Sequence, residues 1–178
     1  ESAAIHVESF SAHTPGKLPA AWEPLVLLRD RRTTEYQLVE HEGQVVLHAI
    51  ADKASSALMH TMTAQVLERP WLRWQWKVRT TPILGEGPAE RGSPVRIVLG
   101  FDGDKGSLSF TDQILFDTAK LITGHDFPYA TLMYVWAEDL PVGTVVRSHH
   151  SSRIWMVVAD TGTAGIGGWR RFSRNVSE

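Results

Sequence analysis

Five residues of this chain carry the side chains best suited to holding a ligand: Arg96, Tyr134, Trp136, Trp76 and Trp71. An indole offers a large, rigid, electron-rich face at low entropic cost, and the C–H groups of a sugar ring stack on it. A guanidinium adds a planar fork of donors for carboxylates and hydroxyls. Arg96 stands in the run Val95-Arg96-Ile97-Val98-Leu99-Gly100-Phe101, where its neighbours alternate into a core. A charge at such a position must face water, meet a carboxylate or line a cavity. The run from Thr131 to Ala137 puts Leu132, Tyr134 and Trp136 on one face. If these two runs are neighbouring strands with those faces aligned, Arg96, Tyr134 and Trp136 form a cationic, aromatic groove that suits a glycan or a small polar or acidic ligand. The plainer readings are a solvated arginine on an outer face and tryptophans that fill a core, Trp74 most clearly. Trp71 follows Pro70, outside the clean alternation, and reads as solvent-facing.

Other chemistries find weaker footing. Asp102-Gly103-Asp104-Lys105-Gly106 supplies two carboxylates for a cation, but no third acidic ligand, and Lys105 places a positive charge inside the loop. A plain turn is the better reading, because Asp and Gly dominate turns. The eight histidines show no ligand spacing, and the adjacent His149 and His150 point to opposite faces of a strand. With no cysteine, thiolate catalysis, disulfides and cysteine-based metal centres are excluded. No Gly-x-Ser-x-Gly elbow or Walker loop occurs, and Gly162-x-x-Gly165-x-Gly167-Gly168 joins two strands instead of opening a helix. No catalytic residue, metal site or cofactor is therefore assigned. A carbohydrate-active hydrolase or lyase remains as an alternative. A hydrolase would need two carboxylates facing each other across about 5–10 Å. Asp102, Asp104, Glu138 and Asp139 are the candidates, with no pair singled out. The cluster Arg170, Arg171 and Arg174 reads as a solvated strand edge or an envelope contact.

These residues sit in a chain of 178 with 18 Lys+Arg, 20 Asp+Glu and a net charge of −2, which suits one domain spanning 1–178. That balance supplies no basic field to gather phosphates, so nucleic acid is not an expected partner. No run approaches the ~18 apolar residues of a membrane span. Ser2, Ala3 and Ala4 resemble the region around a signal-peptidase site, which predicts a chain whose signal peptide has been removed.

Most segments alternate with period two. A strand is expected from Ile5 to Ser9, a hairpin over 34–40 and 44–50 around His41-Glu42-Gly43, and a β-type stretch over 55–66. In Trp71 to Arg79, Trp74, Trp76 and Val78 share one face, while Arg73, Gln75, Lys77 and Arg79 share the other. A loop rich in Pro and Gly follows over 80–94, then the Arg96 strand. Ser109 and Asp112 have capping-box spacing, Leu115, Ala119 and Ile122 recur at helical intervals, and Gly124 supplies a stop. One helix is thus predicted over 111–123. Further strands are expected over 131–137, 144–148, 153–160 and 169–176. About ten short strands predict an all-β fold, an antiparallel β-sandwich of jelly-roll (galactose-binding-like) type with one helix.

Several marks in chain order resemble the bacterial family of unknown function called DUF3047. They are Thr34-x-Tyr36, Pro70-x-x-x-Trp74-x-Trp76, Arg96-Ile97-Val98-Leu99-x-Phe101 and Pro128-x-x-x-Leu132-x-Tyr134-x-Trp136, followed by Arg153, Trp169 and Arg174-Asn175-Val176. The chain departs from the family pattern at Gly92-Ser93-Pro94, where an acidic pair often stands, and its end at Glu178 reads as a truncation. The resemblance implies a periplasmic or secreted protein and supplies no catalytic residues. Together these readings predict a non-catalytic extracytoplasmic binding module, whose ligand is a glycan or other polar envelope molecule. The third alternative is an envelope scaffold that lends a strand edge to a partner chain.

Overall fold

The computed structural model describes residues 7, 9–26, 32–63, 68–79, 93–149 and 151–177. The expected opening strand, the loop over 80–92 and His150 lie wholly or mostly outside the described residues. The chain divides into two compact units, Glu1–Arg69 with Leu121–His125, and Pro70–Lys120 with Asp126–Glu178. The described elements are mostly β, with ten strands, one α-helix and two short 3-10 turns. No helix among the described residues is long and apolar enough to cross a membrane.

The first unit holds two small antiparallel sheets. β1 (Trp22–Leu25) pairs with β4 (Ala57–His60), and β2 (Glu35–His41) pairs with β3 (Gln44–Ile50). The β2–β3 hairpin turns through Glu42 and Gly43 at φ 54° and 77°, the two left-handed positions that a type I′ turn requires. Its register pairs Leu38 with Leu47, and Leu38 is the buried anchor of this unit. The Phe10 and Trp22 rings lie 5.5 Å apart, and Trp22 meets the His60 ring edge-on at 5.2 Å. Within the β-type stretch expected over 55–66, β4 is the part that pairs with the four residues of β1, and residues 64–66 lie outside the described residues.

The second unit is built around its tryptophans. β5 (Trp71–Trp76) and β10 (Arg170–Asn175) form a two-stranded antiparallel ribbon. β6 (Arg96–Phe101), β7 (Ala130–Ala137), β9 (Ile154–Thr161) and β8 (Val145–Arg147) form a four-stranded sheet in that spatial order. Alternation sends Leu72, Trp74 and Trp76 from the ribbon toward Leu132, Tyr134 and Trp136 of the sheet, with Phe172 beside them. The Trp74 ring lies 4.9 Å from Tyr134 and 5.0 Å from Phe172, and Trp76 lies 6.4 Å from Trp136. Contacts of this kind add about 0.5–1.5 kcal/mol per pair beyond the area they bury. On the opposite face of the sheet, Val135, Met156 and Val158 form a second buried cluster.

The expectation of purely antiparallel pairing fails at one place, where β7 and β9 run parallel. The reason is topological. β8 turns back on β9, and the resulting hairpin docks through β9 rather than β8, so two strands of the same direction meet. The sheets are small and do not close into a barrel.

The helix, α1 (Phe110–Thr123), starts as the capping box predicts. Ser109 Oγ accepts a hydrogen bond from the Asp112 amide at 3.1 Å and donates one to Asp112 Oδ2 at 2.8 Å. Gly124, at φ 76°, ends it in the left-handed conformation favoured after a helix. Its buried positions are Asp112, Phe116 and Thr123, whereas Ile122 is exposed. Leu115 and Ala119 are half-buried beside them, so the apolar periodicity marks the inward side, and only Ile122 falls outside it.

Candidate functional site

The five predicted ligand residues separate in the fold. β6 and β7 are indeed neighbours, but their register pairs Arg96 with Val135 and Ile97 with Tyr134. Directly opposed residues share a face, so Arg96 lies on the other side of the sheet from Tyr134 and Trp136. Tyr134 is 3% exposed, Trp136 1% and Trp76 6%, all within the aromatic core. Trp136 is fixed there by an indole N–H that donates to the Gly162 carbonyl at 2.9 Å. The proposed Arg96–Tyr134–Trp136 groove is therefore not formed. Trp71, in contrast, is 62% exposed, as its place after Pro70 suggests.

Trp71 does not stand alone. The β5–β10 register pairs Trp71 with Asn175, Arg73 with Ser173 and Gln75 with Arg171, and these six share the face turned away from the core. Arg73, Gln75, Arg171 and Ser173 are exposed. Just beyond the paired strands, the Lys77 ammonium lies 6.0 Å from the centroid of the Trp169 ring, which extends the same face by one position. The outer face of the ribbon thus carries an indole toward each end, cations between them, and amide and hydroxyl groups along one side. Among the described residues it holds no carboxylate. The side-chain groups of Arg73 and Arg171 make no ion pair or hydrogen bond among the described residues.

Half of this face is legible in the sequence, because Arg73, Gln75 and Lys77 alternate with the apolar residues of β5. The other half is not. The cluster Arg170, Arg171 and Arg174, read from the sequence as a solvated strand edge, divides between the two faces of the ribbon, with Arg170 and Arg174 on the same side as Phe172. Arg170 binds the buried Asp160 carboxylate through Nε at 3.0 Å and Nη2 at 3.2 Å, and Arg174 lies over the Phe172 ring. Only Arg171 of the three turns to the outer face.

The remaining candidates have structural roles. Asp104 Oδ1 accepts from the Gly106 amide at 2.9 Å, and Asp102 Oδ1 from the Gly103 amide at 2.9 Å, so both carboxylates shape the turn before α1. Among the described residues, no three His, Asp or Glu side chains gather where they could hold a metal ion. Asp102 follows β6 beside Ala130, whereas Glu138 and Asp139 follow Ala137 at the other end of β7. The length of β7 alone separates these two groups by about 23 Å, too far for a hydrolytic pair.

Two further polar arrangements sit near α1. The buried Asp112 carboxylate accepts from Ser151 Oγ at 2.7 Å as well as from Ser109. The Ser151 hydroxyl first, then Ser109, with a smaller contribution from the Arg153 charge, hold its carboxyl below the ordinary carboxylate range. The Arg153 guanidinium lies 4.0 Å from the centroid of the Tyr129 ring, whose hydroxyl is 3.2 Å from Ser107 Oγ. Beside them a cleft of about 230 Å³ is lined by Lys105, Phe116, Asp117, Lys120, Asp126 and Phe127, among others. Its best-placed charges already satisfy each other, with Lys120 Nζ 2.8 Å from Asp126 Oδ1. That pair is exposed and contributes little to stability.

No curated protein and no solved structure matches this chain. The match that exists is to a family, and it takes in the aromatic core and the ribbon together. The model of the family described as a protein of unknown function, DUF3047, matches residues 20–178, and the chain belongs to that family.

Proposed function

We propose that this chain is a non-catalytic extracytoplasmic binding module that takes a glycan on the outer face of the β5–β10 ribbon. The observation that carries this reading is the exposure of Trp71 on a sheet face lined by donors and acceptors. Sugar rings present C–H faces that stack on an indole, and hydroxyls that pair with amide, hydroxyl and guanidinium groups. Gln75 and Ser173 supply the first two, and Arg73 and Arg171 the third. The ribbon is held rigid from behind by the Trp74–Trp76–Phe172 cluster, so little ordering cost falls on binding. The compartment belongs to the same proposal: envelope polymers are such ligands, and a chain without cysteine carries no thiol for an oxidising compartment to alter.

Isothermal titration of the chain against a panel of oligosaccharides and peptidoglycan fragments tests it. Saturable binding is expected, lost in Trp71→Ala with the thermal midpoint unchanged. Flat titrations across the whole panel overturn the reading.

A further inference from the structure

Resting on the glycan reading above, we infer that the ligand is a linear acidic glycan, a uronate polymer, lying along the ribbon from Trp71 toward Trp169. The chain as a whole has a net charge of −2, yet the outer face of the ribbon presents Arg73 and Arg171, and among the described residues of the two strands no acidic side chain shares that face. Other arginines of the same unit are engaged by the fold: Arg170 by Asp160, Arg153 by Tyr129 and Arg147 by Trp155. Arg73 and Arg171 extend from diagonal positions on the two strands, with their donors turned to solvent. A planar carboxylate is the group that a guanidinium fork matches with two parallel hydrogen bonds.

The spacing fits a chain rather than a single sugar. Successive same-face positions on a strand are about 6.6–6.8 Å apart, so Trp71 and the Lys77–Trp169 pair stand about 20 Å apart along the ribbon. An oligosaccharide of several rings spans that length, stacking at one indole and meeting cations between. Single-stranded nucleic acid would need aromatic platforms close enough for successive bases, and the two indoles here are too widely separated to provide them.

The test uses the full chain and four probes: an oligogalacturonate, its fully methyl-esterified neutral counterpart of equal length, the acidic disaccharide, and oligo-dT. The longer acidic oligomer is expected to bind best, with affinity that falls as salt rises. Arg73→Gln and Arg171→Gln are each expected to weaken it about tenfold, the loss of one charge-assisted contact. Trp169→Phe is expected to weaken the longer oligomer more than the disaccharide. Thermal midpoints of the variants separate these effects from unfolding. Equal binding of the neutral oligomer, insensitive to salt and to both arginine variants, overturns the acidic ligand and leaves the glycan reading standing. Tighter binding of oligo-dT than of the uronate overturns it as well. If no saccharide of either kind binds, the glycan reading falls and this inference with it.

Discussion

The Ser151 hydroxyl donates a 2.7 Å hydrogen bond to the buried carboxylate of Asp112, tying the segment that leads into β9 to the first turn of α1. The same hydroxyl accepts from the Arg153 amide at 3.1 Å, so one side chain orders both ends of this junction. Ser151→Ala leaves one carboxylate oxygen without its donor, and at neutral pH it is expected to cost about 1.5–3 kcal/mol in urea unfolding. The cost depends on pH with a definite sign. Because the folded state holds the Asp112 carboxyl below its ordinary value, the unfolded chain binds more protons in acid. The stabilisation is fully present above the unfolded value, about 3.9, and is lost as pH falls through the folded one. The difference between wild type and Ser151→Ala should therefore be constant near neutrality and shrink below about pH 4. A difference that grows in acid would contradict the assignment.

The tryptophans divide by role, and two substitutions display the division. Trp136→Ala opens a cavity in the aromatic core and strands the Gly162 carbonyl, so about 3–5 kcal/mol of stability is expected to be lost. Trp71→Ala removes an exposed ring and should change stability by less than about 0.5 kcal/mol. Chemical denaturation of both variants checks the contrast.

Arg170 and Asp160 form the bidentate pair that closes the chain between β9 and β10. Asp160 is buried and Arg170 half-exposed, so solvent screens part of the interaction. Arg170→Ala is expected to destabilise by about 2 kcal/mol, less than a fully dry pair. Asp160→Asn keeps an acceptor for the Thr161 amide and should cost less, which urea midpoints of the two variants will resolve.

Two phenols should separate in a spectrophotometric titration. Burial, the dominant effect, pushes Tyr36 above its ordinary value. The Ser107 hydroxyl, chiefly, and then Arg153 hold Tyr129 below its own. Phenolate absorbance is expected to rise first from Tyr129 and later from Tyr36, and Ser107→Ala should move the early step to higher pH. A Gly103→Ala variant disturbs the same ring, because the new methyl group would stand 2.6 Å from Tyr129 Cδ1.

How much of this fold can be read from residue order depends on the range of the interactions that decide it. The β2–β3 hairpin is legible because Glu42-Gly43 demands a turn locally, and the α1 start is legible because Ser109 and Asp112 are three residues apart. The two faces of β5 are legible because side chains alternate along any strand. What alternation cannot supply is which face of a neighbour lines up. Arg96 and Tyr134 each fall on the expected face of their own strand, and a register set by the whole β6–β7 ladder puts those faces on opposite sides of the sheet. The ribbon site fails to show for the same reason: Trp71 meets Asn175 from the far end of the chain, and Arg170 is drawn inward by an aspartate on another strand. On α1, the position of Asp112 follows from the stripe that Leu115 and Ala119 mark, but the burial of its carboxylate is explained only by Ser151, 39 residues further along the chain.

The parallel pairing of β7 with β9 divides the four-stranded sheet along a seam. On one side lie β6 and β7, and on the other the hairpin of β8 and β9, each antiparallel within itself. The β8–β9 hairpin can close over a short connection before it meets anything else, whereas the seam joins segments separated by the whole of that hairpin. Contacts that close longer loops form later on entropic grounds. By sequence separation β8 meets β9 first (Val145 with Val157), the seam forms next (Met133 with Met156) and β6 joins β7 last (Val98 with Met133). The seam, which seats Ala159 and Val157 beneath the aromatic core, is therefore expected to be in place before β6 completes the sheet.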